Sequence, residues 1–268
     1  MRVIVPIKQV PETNAVKMDE KTGTMIREGV EAIINPLDLY AIELAIQLRE
    51  ARDEGEVEIV AISMGPPKAM TALKEAIAMG IDSAVLVSDK AFAGADTWAT
   101  AYVLAAAIRK LGDFDLVICG ERATDGDTGQ VGPGLAAFLD LPVVSYVSKL
   151  DSLADGACRT HRLVEEGYEV LEMDLPGVLT VVKEVADPRL PTLRGKQRAK
   201  RVEIPTWGAA DLDVETDKLG LNGSPTRVVK IFRPSVARQC EKYIPMDEQA
   251  VADAADKLVA FLQKRELI

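Results

Sequence analysis

The first 150 residues alternate short, nearly unbroken apolar runs with stretches patterned as helices. That alternation restricts the fold more than any other feature. The runs are Arg2–Lys8, Val57–Ser63, Ala84–Ser88, Leu116–Gly120 and Val143–Val147. A strand open to water on one face alternates polar and apolar residues, whereas a strand covered on both faces is apolar throughout. The intervening helices carry their own end signals. Asn35-Pro36 reads as an N-cap followed by proline at the first helical position, and Leu37, Ala41, Leu44, Ala45 and Leu48 then form one stripe. A second helix spans Pro67 to Met79 and closes at Gly80. Asp96 caps a third, which ends near Gly112, and Val131 to Leu139 make a fourth. Strands alternating with helices predict an α/β fold: a Rossmann-like parallel sheet with helices on both faces, joined by right-handed crossovers.

Beyond Val147 the pattern changes. Cys158–Val164 and Tyr168–Asp174 flank Glu165-Glu166-Gly167 and predict a small antiparallel hairpin, followed by a strand over Val178–Val182. Residues 188–202 hold Arg189, Arg194, Lys196, Arg198, Lys200 and Arg201 without an acid, in a chain of net charge −10. This basic island, which shows no strand or helix pattern, is either a solvated loop or a docking loop for an acidic partner. Residues 206–246 read as an extended arm. Asp247 then caps a last helix with Val251, Ala254, Leu258 and Leu262 on one face, which packs either on its own domain or on another chain. The expected division is an α/β domain over 1–205, including the basic island, and a C-terminal arm with helix over 206–268.

Open parallel sheets bind ligands outside the carboxyl ends of their strands. Pro6-Ile7-Lys8-Gln9, Met64-Gly65-Pro66-Pro67 and the loop after Gly120 all fall there, and the start of the Asn35 helix lies at the same end. The loop is the strongest local signal, with Gly120, Gly126, Gly129, Gly132 and Gly134 in close succession. Glycines permit positive φ and close backbone approach, and the loop feeds a helix whose free N–H groups favour phosphate. Thr128 and Gln130 add neutral donors. Asp125 and Asp127 would repel phosphate, so their expected role is to accept backbone N–H bonds or to bind ribose hydroxyls.

Several classes are disfavoured. The acidic balance argues against nucleic acid as the main partner. Cys119, Cys158 and Cys240 are scattered, with no C-x-x-C, and His161 is the only histidine, so no metal site and no catalytic dyad is expected. Neither G-x-G-x-x-G after the first strand nor G-x-x-x-x-G-K-[ST] occurs, which sets aside the standard dinucleotide fold and the P-loop hydrolases. Lys8-Gln9-Val10-Pro11 is unlike the serine- and glycine-rich loop of nucleotidyl-transfer enzymes in the adenine-nucleotide α/β class. No apolar run reaches the roughly 20 residues of a membrane span, and MRVIVPIKQVP lacks a signal-peptide core, so a cytoplasmic protein is expected.

Four stretches resemble the β subunit of electron-transferring flavoproteins: VIVPIKQVPET near the start, NPLDLYAIELA at 35–45, ATDGDTGQVGPGLAAFLDLP at 123–142 and PRLPTLRGKQRAK at 188–200. GSPTRVVKIFRP at 223–234 extends the likeness into the arm. The resemblance implies a heterodimer with an FAD-holding α subunit and a second nucleotide in this chain. That nucleotide is AMP in the simple shuttle branch and FAD, reduced by NADH, in the electron-bifurcating branch. Asp125-Gly126-Asp127-Thr128 followed by Val131-Gly132-Pro133 resembles the bifurcating form. Contacts implied by the resemblance are Pro6, Asn35, Pro36, Leu37, Asp38, Met64 with Gly65 beside it, and Ala123, Thr124, Asp125, Gly126, Asp127, Thr128, Gly129, Gln130, Val131, Gly132 and Pro133. Leu193 matches the family's leucine anchor for a partner dehydrogenase of acyl-CoA or hydroxyacid type, with Arg194 and Lys196 beside it. Ferredoxin or flavodoxin is the implied low-potential carrier. The alternative reading is a binding subunit holding a structural AMP.

Overall fold

The computed structural model describes residues 1–12, 17–18, 25–26, 32–53, 56–229 and 240–268. Contacts divide the chain into two units, Met1–Val229 and Lys230–Ile268.

The first unit contains, in chain order, β1 (Arg2–Pro6), β2 (Gln9–Pro11), β3 (Lys17–Met18), β4 (Met25–Ile26), β5 (Ala32–Ile34), α1 (Asp38–Glu50), β6 (Glu58–Met64), α2 (Met70–Met79), β7 (Ser83–Val87), α3 (Thr97–Leu111), β8 (Leu116–Gly120), α4 (Val131–Leu139), β9 (Val143–Ala154), β10 (Ala157–Val164), β11 (Gly167–Asp174), β12 (Gly177–Val181), α5 (Leu193–Ala199), β13 (Thr206–Trp207) and α6 (Gly220–Gly223). Among the described residues nine strands form one sheet in the order β11-β10-β9-β12-β8-β1-β6-β7-β13. Every neighbouring pair from β9 to β13 is parallel, while β9–β10 and β10–β11 are antiparallel. The expected hairpin is present as β10 and β11. It continues the main sheet, because β9 runs past Val147 to Ala154 and pairs with β10 along its outer half.

The parallel strands are buried on both faces, as their unbroken apolar composition requires. Val3, Val5, Ile59, Ala61 and Leu86 pack with residues of α1 and α2 on one side. Ile4, Ile62, Val85, Val87, Val117 and Val178 pack with α3 and α4 on the other. Ile4, Ile42, Ile59, Ile62, Ile77 and Ile108 are fully buried, and each such side chain contributes about 1.5–3 kcal/mol relative to exposure.

Two expectations are corrected. Helix α1 begins at Asp38 with Leu37 as its uncapped N-cap, and not at Asn35. The Asn35 side chain bonds a distant loop and the Asp38 carboxylate rather than capping a helix N–H, while its carbonyl accepts from Asp38 N at 2.9 Å. The basic island contains a helix, α5, capped by Thr192 Oγ1, which accepts from Gly195 N at 2.9 Å. Small residues hold it against α2. A β-carbon on Gly195 would lie 2.0 Å from the Ala78 carbonyl oxygen, and Ala199 is buried. Beyond α5, Thr206–Trp207 adds to the sheet edge beside Leu86 and Val87, and Leu212 and Leu219 are buried. The compact unit reaches Val229.

In the second unit, Asp247 caps α7 (Glu248–Lys264) by accepting from Ala250 N at 2.7 Å, as expected. No residue of α7 is buried, and Val251, Leu258 and Phe261 of its apolar face are exposed. Among the described residues no helix is long and apolar enough to cross a membrane.

Candidate nucleotide-binding site

Strand β1 pairs with β6 on one side and β8 on the other. The chain leaves β1 toward β6 and β7, then returns across β1 to place β8. Connections running to opposite sides leave a crevice at the carboxyl ends of β1 and β8, which is where open α/β sheets hold ligands.

A network of buried polar groups closes the floor of this crevice. Asp38 Oδ2 accepts from Lys8 N at 2.7 Å and Asp38 Oδ1 from Asn35 Nδ2 at 2.9 Å. Asn35 Nδ2 also donates to Arg122 O at 2.9 Å, and Asn35 Oδ1 accepts from Thr124 N at 3.1 Å. Asn35 is wholly buried and Asp38 nearly so. Three of the segments expected at the rim are therefore joined by direct bonds. Just past the end of the fourth, Lys68 O accepts from Gln9 Nε2 at 3.1 Å. Pro6 is buried at the end of β1, and Gly65 N donates to Val87 O at 3.0 Å.

Burial pushes the Asp38 carboxyl up to about 7, against the two hydrogen bonds and the Lys8 charge, which favour its anion. Burial, helped by the neighbouring Asp38 charge, also drives the Cys119 thiol upward, so it is an inert structural group.

The glycines divide by purpose. A β-carbon on Gly120 would meet Asp38 Oδ1 at 2.4 Å and Leu37 backbone at 2.8 Å. One on Gly132 would meet Thr180 Cγ2 at 2.4 Å. Those two allow the loop and α4 to close against their neighbours. Gly129, with φ +64°, supplies a left-handed turn. At Gly126 nothing lies within 4 Å, so this position faces open space.

Of the two roles expected for Asp125 and Asp127, neither carboxylate accepts a backbone N–H bond among the described residues, which leaves the binding of ribose hydroxyls. Asp125 Oδ1 pairs with Lys8 Nζ at 2.7 Å and Asp127 Oδ1 with Arg122 Nε at 2.8 Å. Lys8 and Arg122 were missed as individual site residues, although basic side chains at a strand end and inside an acidic loop were a usable signal. Gln130 precedes α4 without a side-chain cap, and its Oε1 accepts from Thr97 Oγ1 at 3.0 Å. The first N–H groups of α4 are thus uncapped by that side chain, and Thr128 beside them is exposed. Tyr146 also approaches the loop, its hydroxyl 3.8 Å from where a side chain on Gly129 would begin.

These features fit a nucleotide. Uncapped helix N–H groups can receive phosphate, loop carboxylates are matched by cations, and open space lies at the loop tip.

The docking residues expected in the basic island sit at the start of α5. Leu193 is 82% exposed and Leu190 85%. Arg189 anchors the segment by a fork to α1, reaching Glu43 at 2.8 and 2.9 Å and Glu50 at 2.5 and 2.8 Å. Arg198 holds the far end through the carbonyls of Ile81 and Asp82.

A mostly parallel sheet with helices on both faces and a glycine-rich loop at its switch point defines a doubly wound α/β protein. The family model described as the electron transfer flavoprotein domain matches residues 22–212, and the chain belongs to the electron transfer flavoprotein family, on its β-subunit side. It is 44% identical over 268 residues, covering 100% of both chains, to the caffeyl-CoA reductase-Etf complex subunit CarD of Acetobacterium woodii. It is 46% identical over 259 residues to the electron transfer flavoprotein subunit beta of Thermoanaerobacterium thermosaccharolyticum, covering 96% of this chain and 98% of the relative. Protein FixA of Azorhizobium caulinodans is 40% identical over 273 residues, covering 99% of this chain and 95% of the relative.

Proposed function

We propose that this chain is the β subunit of a heterodimeric electron transfer flavoprotein and holds FAD in the crevice between β1 and β8. In this reading it takes part in passing electrons from NADH to a flavin dehydrogenase and to a low-potential carrier such as ferredoxin or flavodoxin, by flavin-based electron bifurcation. The observation that carries the FAD assignment is the open space at Gly126, since a flavin dinucleotide needs more room at the loop than AMP does. The likeness to CarD, a subunit of a caffeyl-CoA reductase complex, supports an acyl-CoA-type partner.

The bound flavin supplies the electron-carrying chemistry. The chain's own residues bind and orient. The N–H groups at the start of α4 receive phosphate oxygens, with Thr128 as a further donor. Asn35 and Asp38 fix the 121–130 loop against β1. Leu193, ringed by Arg194 and Lys196, gives an apolar anchor with a basic rim, suited to a small transient interface with an acidic dehydrogenase surface. The exposed apolar face of α7 packs on the α subunit.

The test is the nucleotide content of the co-purified heterodimer. Two FAD per heterodimer are expected. One FAD and one AMP would overturn the bifurcating assignment while leaving the β-subunit assignment standing.

A further inference from the structure

Tyr146 has φ +59° in the middle of β9. An aromatic residue in the left-handed region is strained, because its β-carbon crowds the backbone. Such strain persists only where the surroundings enforce it, and it concentrates at functional sites.

The strain has a local origin. Strand β9 pairs with β12 through Val143↔Val178 and Val144↔Leu179, then resumes at Val147↔Val181, so β9 holds one residue more than its partner. Val144 and Val147, three apart, consequently both lie buried in the same core cluster. Without the bulge, strict alternation would place Tyr146 on the face of Val144. With it, Tyr146 leaves the core and is 47% exposed. Bulges of this kind re-aim a side chain.

Two contacts show where it is aimed. Tyr146 N leaves the strand ladder and donates to Thr180 Oγ1 at 3.1 Å. Thr180 is buried, and its methyl group fills the place that a side chain on Gly132 of α4 would need. At the other end of the residue, the phenol oxygen lies 3.8 Å from the β-carbon position of Gly129. The strained turn is thus locked to the wall of the crevice, and the phenol stands beside its loop at Gly129.

We propose that Tyr146 is a nucleotide-contacting residue, which the bulge turns out of the core so that its hydroxyl donates a hydrogen bond to a bound dinucleotide and its ring walls the crevice. This rests on the reading of the crevice as an FAD site. Tyrosine suits the position because one side chain supplies both an apolar face and a donor.

The experiment compares wild type, Tyr146→Phe and Tyr146→Gly in the full-length protein with its co-produced partner subunit. FAD and AMP are titrated calorimetrically into protein stripped of nucleotide, and melting is followed without added nucleotide. Tyr146→Phe should weaken binding of the preferred nucleotide about tenfold, the value of one hydrogen bond, without moving the melting midpoint. Tyr146→Gly should weaken it further yet raise the melting midpoint by a few degrees, because glycine relieves the left-handed strain. That opposition of signs is what a purely structural tyrosine cannot give. Variants that bind as wild type does, or a Tyr146→Gly protein that melts lower with binding unchanged, would overturn the Tyr146 assignment alone. A wild-type protein that takes up neither FAD nor AMP would overturn the crevice reading and this inference with it.

Discussion

Replacing Gly126 by leucine separates the ligand's need for space from the needs of the fold. A β-carbon at Gly126 meets nothing within 4 Å, and Gly126 is absent from the left-handed glycines. Neither sterics nor backbone strain then opposes a side chain there. The change should alter the stability of the nucleotide-free protein by no more than about 0.5 kcal/mol, the usual range for surface substitutions. Binding is another matter. If a flavin dinucleotide occupies that space, leucine forces an overpacked contact of roughly 1–3 kcal/mol, which is about a five- to 150-fold loss of affinity. Gly126→Ala, adding a single methyl group, should fall well short of that. The assay is flavin absorbance per heterodimer for the three proteins, with urea midpoints measured in parallel. A leucine variant that keeps its full flavin complement would refute the placement of the ligand at Gly126. One whose unfolding free energy in urea drops by several kcal/mol would refute the claim that the space is open in the folded chain.

The opposite glycine behaves oppositely. Gly120→Ala drives a methyl group into Asp38 and the Leu37 backbone and should cost about 1–3 kcal/mol, read as a lower urea midpoint, with no ligand needed to see it. Burial lifts Asp38 from 3.8 to about 7, so between those values the folded chain keeps a proton that the unfolded chain releases. The resulting stability is complete below about 3.8 and lost as pH rises through about 7. From pH 5 to pH 8 the wild type should therefore lose on the order of 2 kcal/mol relative to Asp38→Asn, and parallel pH profiles would disprove it. Leu193→Ala should slow electron delivery to the dehydrogenase while flavin content stays normal, and neutralising Arg194 and Lys196 should lower the association rate by an amount that shrinks with salt. A loss that tracks flavin content would remove the docking assignment.

The sheet was legible because strands buried on both faces cannot hide. β1, β6, β7, β8 and β12 fall within a residue or two of their apolar runs, and the Asp96 and Asp247 caps mark α3 and α7 correctly. Convergence of the rim segments followed from topology alone, since every β-strand end in a parallel sheet faces the same way. What escaped was chemistry set by partners distant in sequence. Asn35 carries a helix-cap signature, yet its side chain serves Thr124 and Arg122 some ninety residues away. Helix α5 has a seat made by Gly195 and Ala199, residues too small to register as a hydrophobic stripe. Thr206–Trp207 is too short to read as a strand and becomes one only because the edge of β7 is there to pair with. Tyr146 gave no signal at all, because a bulge is a mismatch of length between two strands and a property of neither alone.

The loop's paired charges explain how an acidic loop can serve an anionic ligand. Asp125 with Lys8, and Asp127 with Arg122, are all at least a quarter exposed, and pairs of that kind contribute only about 0–1 kcal/mol each. They add little to stability, so their effect is on shape and field. Lys8 comes from the end of β1 and Arg122 from the root of the loop, so each pair ties the glycine-rich tip to a rigid base while cancelling one negative charge. Arg122 also pairs with Glu121 at 3.4 Å, so the cluster keeps one net negative charge, but a phosphate arriving at α4 would meet two cations already in place. Because the pairs are weak, those cations can be shared between carboxylate and phosphate as the ligand settles. Removing either carboxylate would loosen the loop and strengthen the local positive field at the same time. Neutralising Asp125 or Asp127 should therefore change nucleotide affinity less than neutralising Lys8 or Arg122, which removes both the tie and the charge.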